Sequence, residues 1–105
     1  METMPMADTT GGRTVRRYAV TVSGRVQGVG FRFFTREWAH AYGLTGWVRN
    51  DPGGSVSMEV QGTEERIAAF LEQLRQGPLM SKVTAIKQNE IPRLDGESDF
   101  IIRFG

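Results

Sequence analysis

The apolar positions of this chain change period along its length, and each change marks an element. Tyr18, Val20 and Val22 alternate with Ala19, Thr21 and Ser23, the period of a half-buried strand. The run then enters Gly24-Arg25-Val26-Gln27-Gly28-Val29-Gly30, a glycine-rich loop. From Phe31 to Tyr42 the period lengthens, so that Phe31, Phe34, Thr35, Trp38, Ala41 and Tyr42 share one helical face, with Phe34 and Trp38 expected in the core. Gly43 stands where a left-handed helix terminator belongs. Leu44 to Asn50 predicts a second strand, and Asp51-Pro52-Gly53-Gly54 a turn. Val56, Met58 and Val60 then alternate with Ser57, Glu59 and Gln61, which predicts a hairpin partner for that strand.

Thr63 reads as the N-cap of a second helix, with Glu64 and Glu65 in its first turn and Ile67, Phe70, Leu71 and Leu74 on its buried face. Gly77-Pro78 ends it. Val83 to Glu90 predicts a strand, Pro92 to Ser98 a loop, and Phe100 to Phe104 a last short strand. The order is β-α-β-β-α-β plus a terminal strand. This predicts an α+β, ferredoxin-like sandwich: a mostly antiparallel sheet of four to five strands with two helices on one face. A helical crossover joins the first two strands, so they run parallel and bring the loop after Ser23 to the same sheet edge as Asn50.

Composition narrows the chemistry. The chain has 105 residues, no Cys and one His, which excludes a disulfide scaffold, a thiol nucleophile and any site needing two imidazoles. No apolar run approaches the roughly 18 residues of a membrane span. Thirteen basic against twelve acidic residues give +1, no footprint for nucleic acid. Phe31-Arg32-Phe33 faintly matches an RNA-stacking run, but its rings open a helix, and the strand of Val56, Met58 and Val60 carries no stacking aromatic. Residues 1–13 read as a flexible tail and 14–105 as one domain. Met1 to Gly12 lacks the basic and apolar regions of a secretory signal, so the cytoplasm is the expected compartment.

The loop from Gly24 to Gly30 leaves two readings open. Such glycines shape a tight connection, or they aim consecutive N–H groups inward as an anion cradle at the positive end of a helix. Neither nucleotide motif fits: Gly30-Phe31-Arg32 lacks the Lys and hydroxyl of a P-loop, and Gly28-Val29-Gly30 lacks the third glycine of the dinucleotide fingerprint. Arg32 favours the cradle, because its planar fork in the first helical turn would complete a bidentate oxyanion site. Arg36, Arg66 and Arg75 read as solvated surface arginines.

The string Gly24-Arg25-Val26-Gln27-Gly28-Val29-Gly30-Phe31-Arg32, followed by Gly46-Trp47-Val48-Arg49-Asn50, resembles the two signature segments of the acylphosphatase family at their expected separation. The resemblance spans about Arg17 to Phe104. It implies hydrolysis of acyl phosphates to a carboxylate and inorganic phosphate, with no metal and no cofactor. It also implies that Arg32 binds the phosphate, that Asn50 orients the attacking water, and that the backbone N–H groups of Gln27, Gly28, Val29, Gly30 and Phe31 form the cradle. The substrate is then a small-molecule acyl phosphate and the protein a monomer without nucleic-acid or membrane partners. The alternative is a non-catalytic acylphosphatase-like module that binds phosphate or carbamoyl phosphate. His40, on the helix face away from the apolar stripe, reads as a surface residue without a catalytic part. Asp51 reads as a turn residue whose charge, beside a phosphate site, would not help binding. Of Phe31 and Phe33, one packs inward and the other borders the acyl group.

Overall fold

The structure is a computed structural model and describes residues 14–104; the expected tail of residues 1–13 lies outside them. The elements are β1 (Val15–Arg25), α1 (Phe31–Ala41), β2 (Thr45–Asn50), β3 (Val56–Thr63), α2 (Glu64–Gln76), β4 (Lys82–Ile91) and β5 (Phe100–Ile102). They form one five-stranded sheet in the order β4-β1-β3-β2-β5. β3 runs antiparallel to both β1 and β2, which are therefore parallel to each other, and β5 adds to β2 as the one parallel pair. The expected fold class is what the chain forms. Both helices lie on one face, α1 over β2 and β5, α2 over β3 and β4.

The alternating positions fill the space beneath the helices. Val20, Val22, Val56, Met58, Val60 and Val48 of the sheet meet Ile67, Phe70, Leu71 and Leu74 of α2, all buried. The stripe on α1 differs from its prediction. Phe31, Thr35 and Ala39 are fully buried, Ala41 is exposed, and Phe34 and Trp38 are only half-buried against the core. The Thr35 hydroxyl donates to the Phe31 carbonyl at 2.8 Å, which lets a polar residue sit in the core without an orphaned group. The rings of Phe31, Phe34, Trp38 and Tyr42 form a ladder along the flank, with successive centroids 6.1, 6.4 and 5.7 Å apart.

Two boundaries also move. β1 extends through Gly24 and Arg25, which pair with Val83 and Lys82 beyond an irregularity at Ser23. Gly24 has φ 122°, and a Cβ there would collide with the Lys82 carbonyl, so the glycine serves the strand and not the loop. β5 stops at Ile102, although the Arg103 N–H still donates to the Val48 carbonyl at 2.8 Å. Among the described residues no helix is long and apolar enough to cross a membrane.

The helix-free face carries the one strongly buried charge among the described residues. Arg17 is 1% exposed. Its guanidinium donates to Glu59 at 3.0 Å, to Gln61 at 3.2 Å and to both oxygens of Glu97 at 2.8 and 3.3 Å. Gln61 in turn exchanges two 2.9 Å hydrogen bonds with the backbone of Leu94. The segment between β4 and β5 is thereby fastened across the sheet, which delivers the chain to the start of β5.

Candidate active site

β1 and β2 end at the same edge of the sheet, and the loop of residues 26–30 meets the β2–β3 turn there. The tie is the Gln27 side chain, whose Nε2 donates to the Asp51 carbonyl at 2.7 Å and to the Ser55 carbonyl at 2.8 Å. The turn is closed from within by Asp51 N–H to the Ser55 carbonyl at 2.9 Å. Between loop and turn lies a cleft of about 110 Å³ lined by Val26, Gly28, Gly30, Phe31, Arg32, Phe33 and Asn50. Five of the seven residues expected at the site therefore face one small cavity. Gln27 and Val29 do not line it: Gln27 is spent on the turn, and Val29 packs against the core.

The loop's conformation explains its glycines. Gly28 and Gly30 have φ of 76° and 77°, while Gln27 and Val29 between and before them do not enter the positive region. Alternating signs of φ turn successive N–H groups to the same side, the geometry of an anion-binding nest. A Cβ at Gly28 or Gly30 would meet nothing within 4 Å, so the requirement is conformational, and the space above them is open. Among the described residues no acceptor lies in hydrogen-bonding geometry to the backbone N–H groups of Gln27 through Phe33. The two helix starts contrast. Thr63 caps α2 by accepting from the Arg66 N–H at 3.3 Å, with Glu64 and Glu65 behind it. α1 opens on Gly30 with no side-chain cap and no acidic residue in its first turn, so its orphan donors and its positive dipole end are left for an anion.

Arg32 projects from that first turn. Among the described residues it has no carboxylate within ion-pair distance. What it has is a ring: its Cζ lies 4.8 Å from the centroid of Phe104, a residue 74% exposed. Phe31 is buried beneath the loop and Phe33 is 53% exposed at the cleft, which sorts the two rings flanking Arg32.

Residues 18–102 match the acylphosphatase family profile. The chain is 44% identical over 88 residues to an acylphosphatase of Clostridium beijerinckii, covering 84% of this chain and 98% of that one. The chain belongs to the acylphosphatase family. The crystal structure of acylphosphatase from Bacillus subtilis superposes with a TM-score of 0.81 at 39% identity, over 86% of this chain and 99% of that one. Full-length HypF in its phosphate- and nucleotide-bound form gives a TM-score of 0.75 at 30% identity, over 86% of this chain but 12% of HypF.

Asp51 is less of an intruder at an acylphosphatase cleft than its charge implies. Its carboxylate accepts from Ser55 at 2.8 Å and Ser57 at 2.5 Å and lies 3.5 Å from the Arg49 Nε. Burial pushes its pKa up, but the two hydroxyls and Arg49 outweigh that and hold it below the ordinary carboxylate value. The charge is thus engaged in shaping the turn that carries Asn50. His40 is about half exposed, as expected, but its Nε2 lies 3.1 Å from both Asp99 Oδ1 and the Phe100 carbonyl and so ties α1 to β5. Two larger concavities exist, about 240 Å³ by Tyr18, Glu64 and Ile67 and about 300 Å³ by His40 and Asp99. Neither is lined by a free helix start or by a glycine nest. Among the described residues no three metal-ligating side chains converge. Val26, Phe33 and Phe104 went unassigned in the sequence except for the choice between the two phenylalanines. Phe104 reaches Arg32 only because β5 pairs with β2, a contact with no local signature.

Proposed function

We propose that this cleft hydrolyses an acyl phosphate to a carboxylate and inorganic phosphate, with the phosphoryl group held by Arg32 and the amides of the loop that borders it and the water held by Asn50. The observation that carries the reading is the convergence on one small cleft of an uncapped helix start, Asn50 and an Arg32 with no carboxylate partner among the described residues. Water oxygen attacks phosphorus, the bond from phosphorus to the acyl oxygen breaks, and its electron pair leaves on the carboxylate. The water's protons end on the phosphate. A carboxylate has an ordinary pKa near 4, so its oxygen departs without protonation at neutral pH and no general acid is required. What remains for the protein is positioning and neutralisation of charge on the equatorial oxygens, which the N–H nest and the Arg32 fork supply. Asn50 is not a base, but its amide both accepts from and donates to a water.

Asn50→Ala tests the assignment. Loss of alignment of the nucleophile is expected to lower kcat about a hundredfold, while inhibition by inorganic phosphate persists. Normal turnover in the variant would remove Asn50 from the reaction. The reading takes the substrate to be a small molecule, acted on by a monomer in the cytoplasm, without a metal, nucleic acid or membrane. The rival reading, a module that binds phosphate without turning it over, draws support from the likeness to a small part of HypF. The presence of Asn50 beside the cradle favours turnover.

A further inference from the structure

The cleft accounts for a phosphoryl group but not for what the phosphoryl group is attached to. The polar lining of the cleft, Arg32, Asn50 and the loop glycines, is engaged by the phosphoryl group and the attacking water. The acyl group then lies toward the mouth. Of the three large apolar side chains lining the cleft, Val26 and Phe31 are 1% exposed and form its floor, while Phe33 is 53% exposed. The remaining wall consists of two glycines, Arg32 and Asn50. Phe33 does not belong to the core or to the half-buried shell around it. Its ring is nevertheless oriented, because the Arg36 guanidinium one turn along α1 sits 5.2 Å from its centroid. The sequence reading of Arg36 as merely solvated misses this role. An exposed, pre-oriented ring beside a polar cleft is a surface on which an apolar group gains by excluding water.

We propose that Phe33 is the acyl-group contact, and that the site favours acyl phosphates with an aromatic or extended apolar acyl group over acetyl or carbamoyl phosphate. The inference rests on the placement of the phosphoryl group at Arg32 and the loop amides. It makes Phe33 a specificity-determining residue and predicts that the reactions supplying the substrate activate hydrophobic carboxylic acids.

The test compares kcat/KM for benzoyl and acetyl phosphate in the wild type, Phe33→Ala and Phe33→Tyr, with the inhibition constant of inorganic phosphate measured in each. The two mixed anhydrides differ in intrinsic reactivity, but that difference cancels when their ratio is compared between variants. Alanine at an exposed helical position favours the helix, so the fold is retained. The benzoyl-to-acetyl ratio is expected to fall roughly threefold to tenfold in Phe33→Ala, mainly through KM for benzoyl phosphate. Phe33→Tyr, which keeps the ring, should retain the preference, and phosphate inhibition should hold in both. An unchanged ratio in Phe33→Ala would overturn the proposal, as would an equal loss in Phe33→Tyr. A parallel weakening of phosphate inhibition would also overturn it, by assigning Phe33 to the cradle. Failure of the underlying site is separately visible, as phosphate inhibition that survives Arg32→Ala.

Discussion

Arg32→Ala is expected to lose both turnover and inhibition by inorganic phosphate, with kcat/KM lower by about a thousandfold or more, the scale on which an arginine acts on a transferring phosphoryl group. The expectation follows from what the guanidinium does not do. It has no carboxylate partner among the described residues and lies against an exposed ring at 4.8 Å. Its removal thus empties the cleft of its one full positive charge without opening the core. Lysine should restore little. A point charge on a flexible stem cannot reproduce two parallel N–H bonds to one phosphate, and it loses the guanidinium's contact with the Phe104 ring. Inhibition assays and thermal melts separate the outcomes: an unchanged melt with lost inhibition supports the assignment, and retained inhibition places the phosphate elsewhere.

Arg17→Ala is expected to produce the largest loss of stability, about 1–3 kcal/mol, because it leaves two part-buried carboxylates without their hydrogen-bonded counter-charge. Against a total of about 5–15 kcal/mol for a domain, that loss is a sizeable share and should be plain in a denaturant titration. The same network makes the protein acid-sensitive. Burial pushes the Glu97 carboxyl up, but the Arg17 guanidinium and the Thr45 hydroxyl more than offset this and hold its pKa below the ordinary value. A carboxylate lowered in the fold stabilises it above its unfolded pKa, near 4.3, and that stability is lost as pH falls through the lower folded value. The wild-type melting temperature should therefore drop below about pH 4, and Arg17→Ala should show a weaker pH dependence over that range. A variant as stable as the wild type would mean that the network contributes nothing net.

Much of the architecture was legible because the hydrophobic pattern is local. Period-2 runs at Val20 and Val22 and at Val56, Met58 and Val60 specify the inner face of the sheet, and the Thr63 cap and Gly77 bound α2 as expected. Where reading failed, the deciding contact was remote. Ala39 and not Ala41 is buried because the approach of α1 to the sheet sets the centre of its stripe, which periodicity alone locates only to within a residue or two. Gly24 belongs to β1 because β4 closes on it from 58 residues away at Lys82. Arg17 occupies an outward position of an alternating strand and looks solvated; only the return of the chain at Glu97 covers it. The proposed phosphate-side residues came together at the cleft for the opposite reason. Gly28, Gly30 and Arg32 owe their place there to backbone conformation and a helix start, which a short contiguous string encodes. Phe104 and the Gln27 side chain act across the site, and no local pattern announces them.

The central question is whether the cleft performs chemistry or only holds an anion. The most direct measurement is the rate of benzoyl phosphate hydrolysis by the wild-type protein in the presence of EDTA, against a buffer blank. Turnover well above the blank, competitively inhibited by inorganic phosphate, is the predicted result. A folded protein that binds phosphate yet hydrolyses nothing above the blank, or one whose activity disappears with the chelator and returns with magnesium, would contradict it.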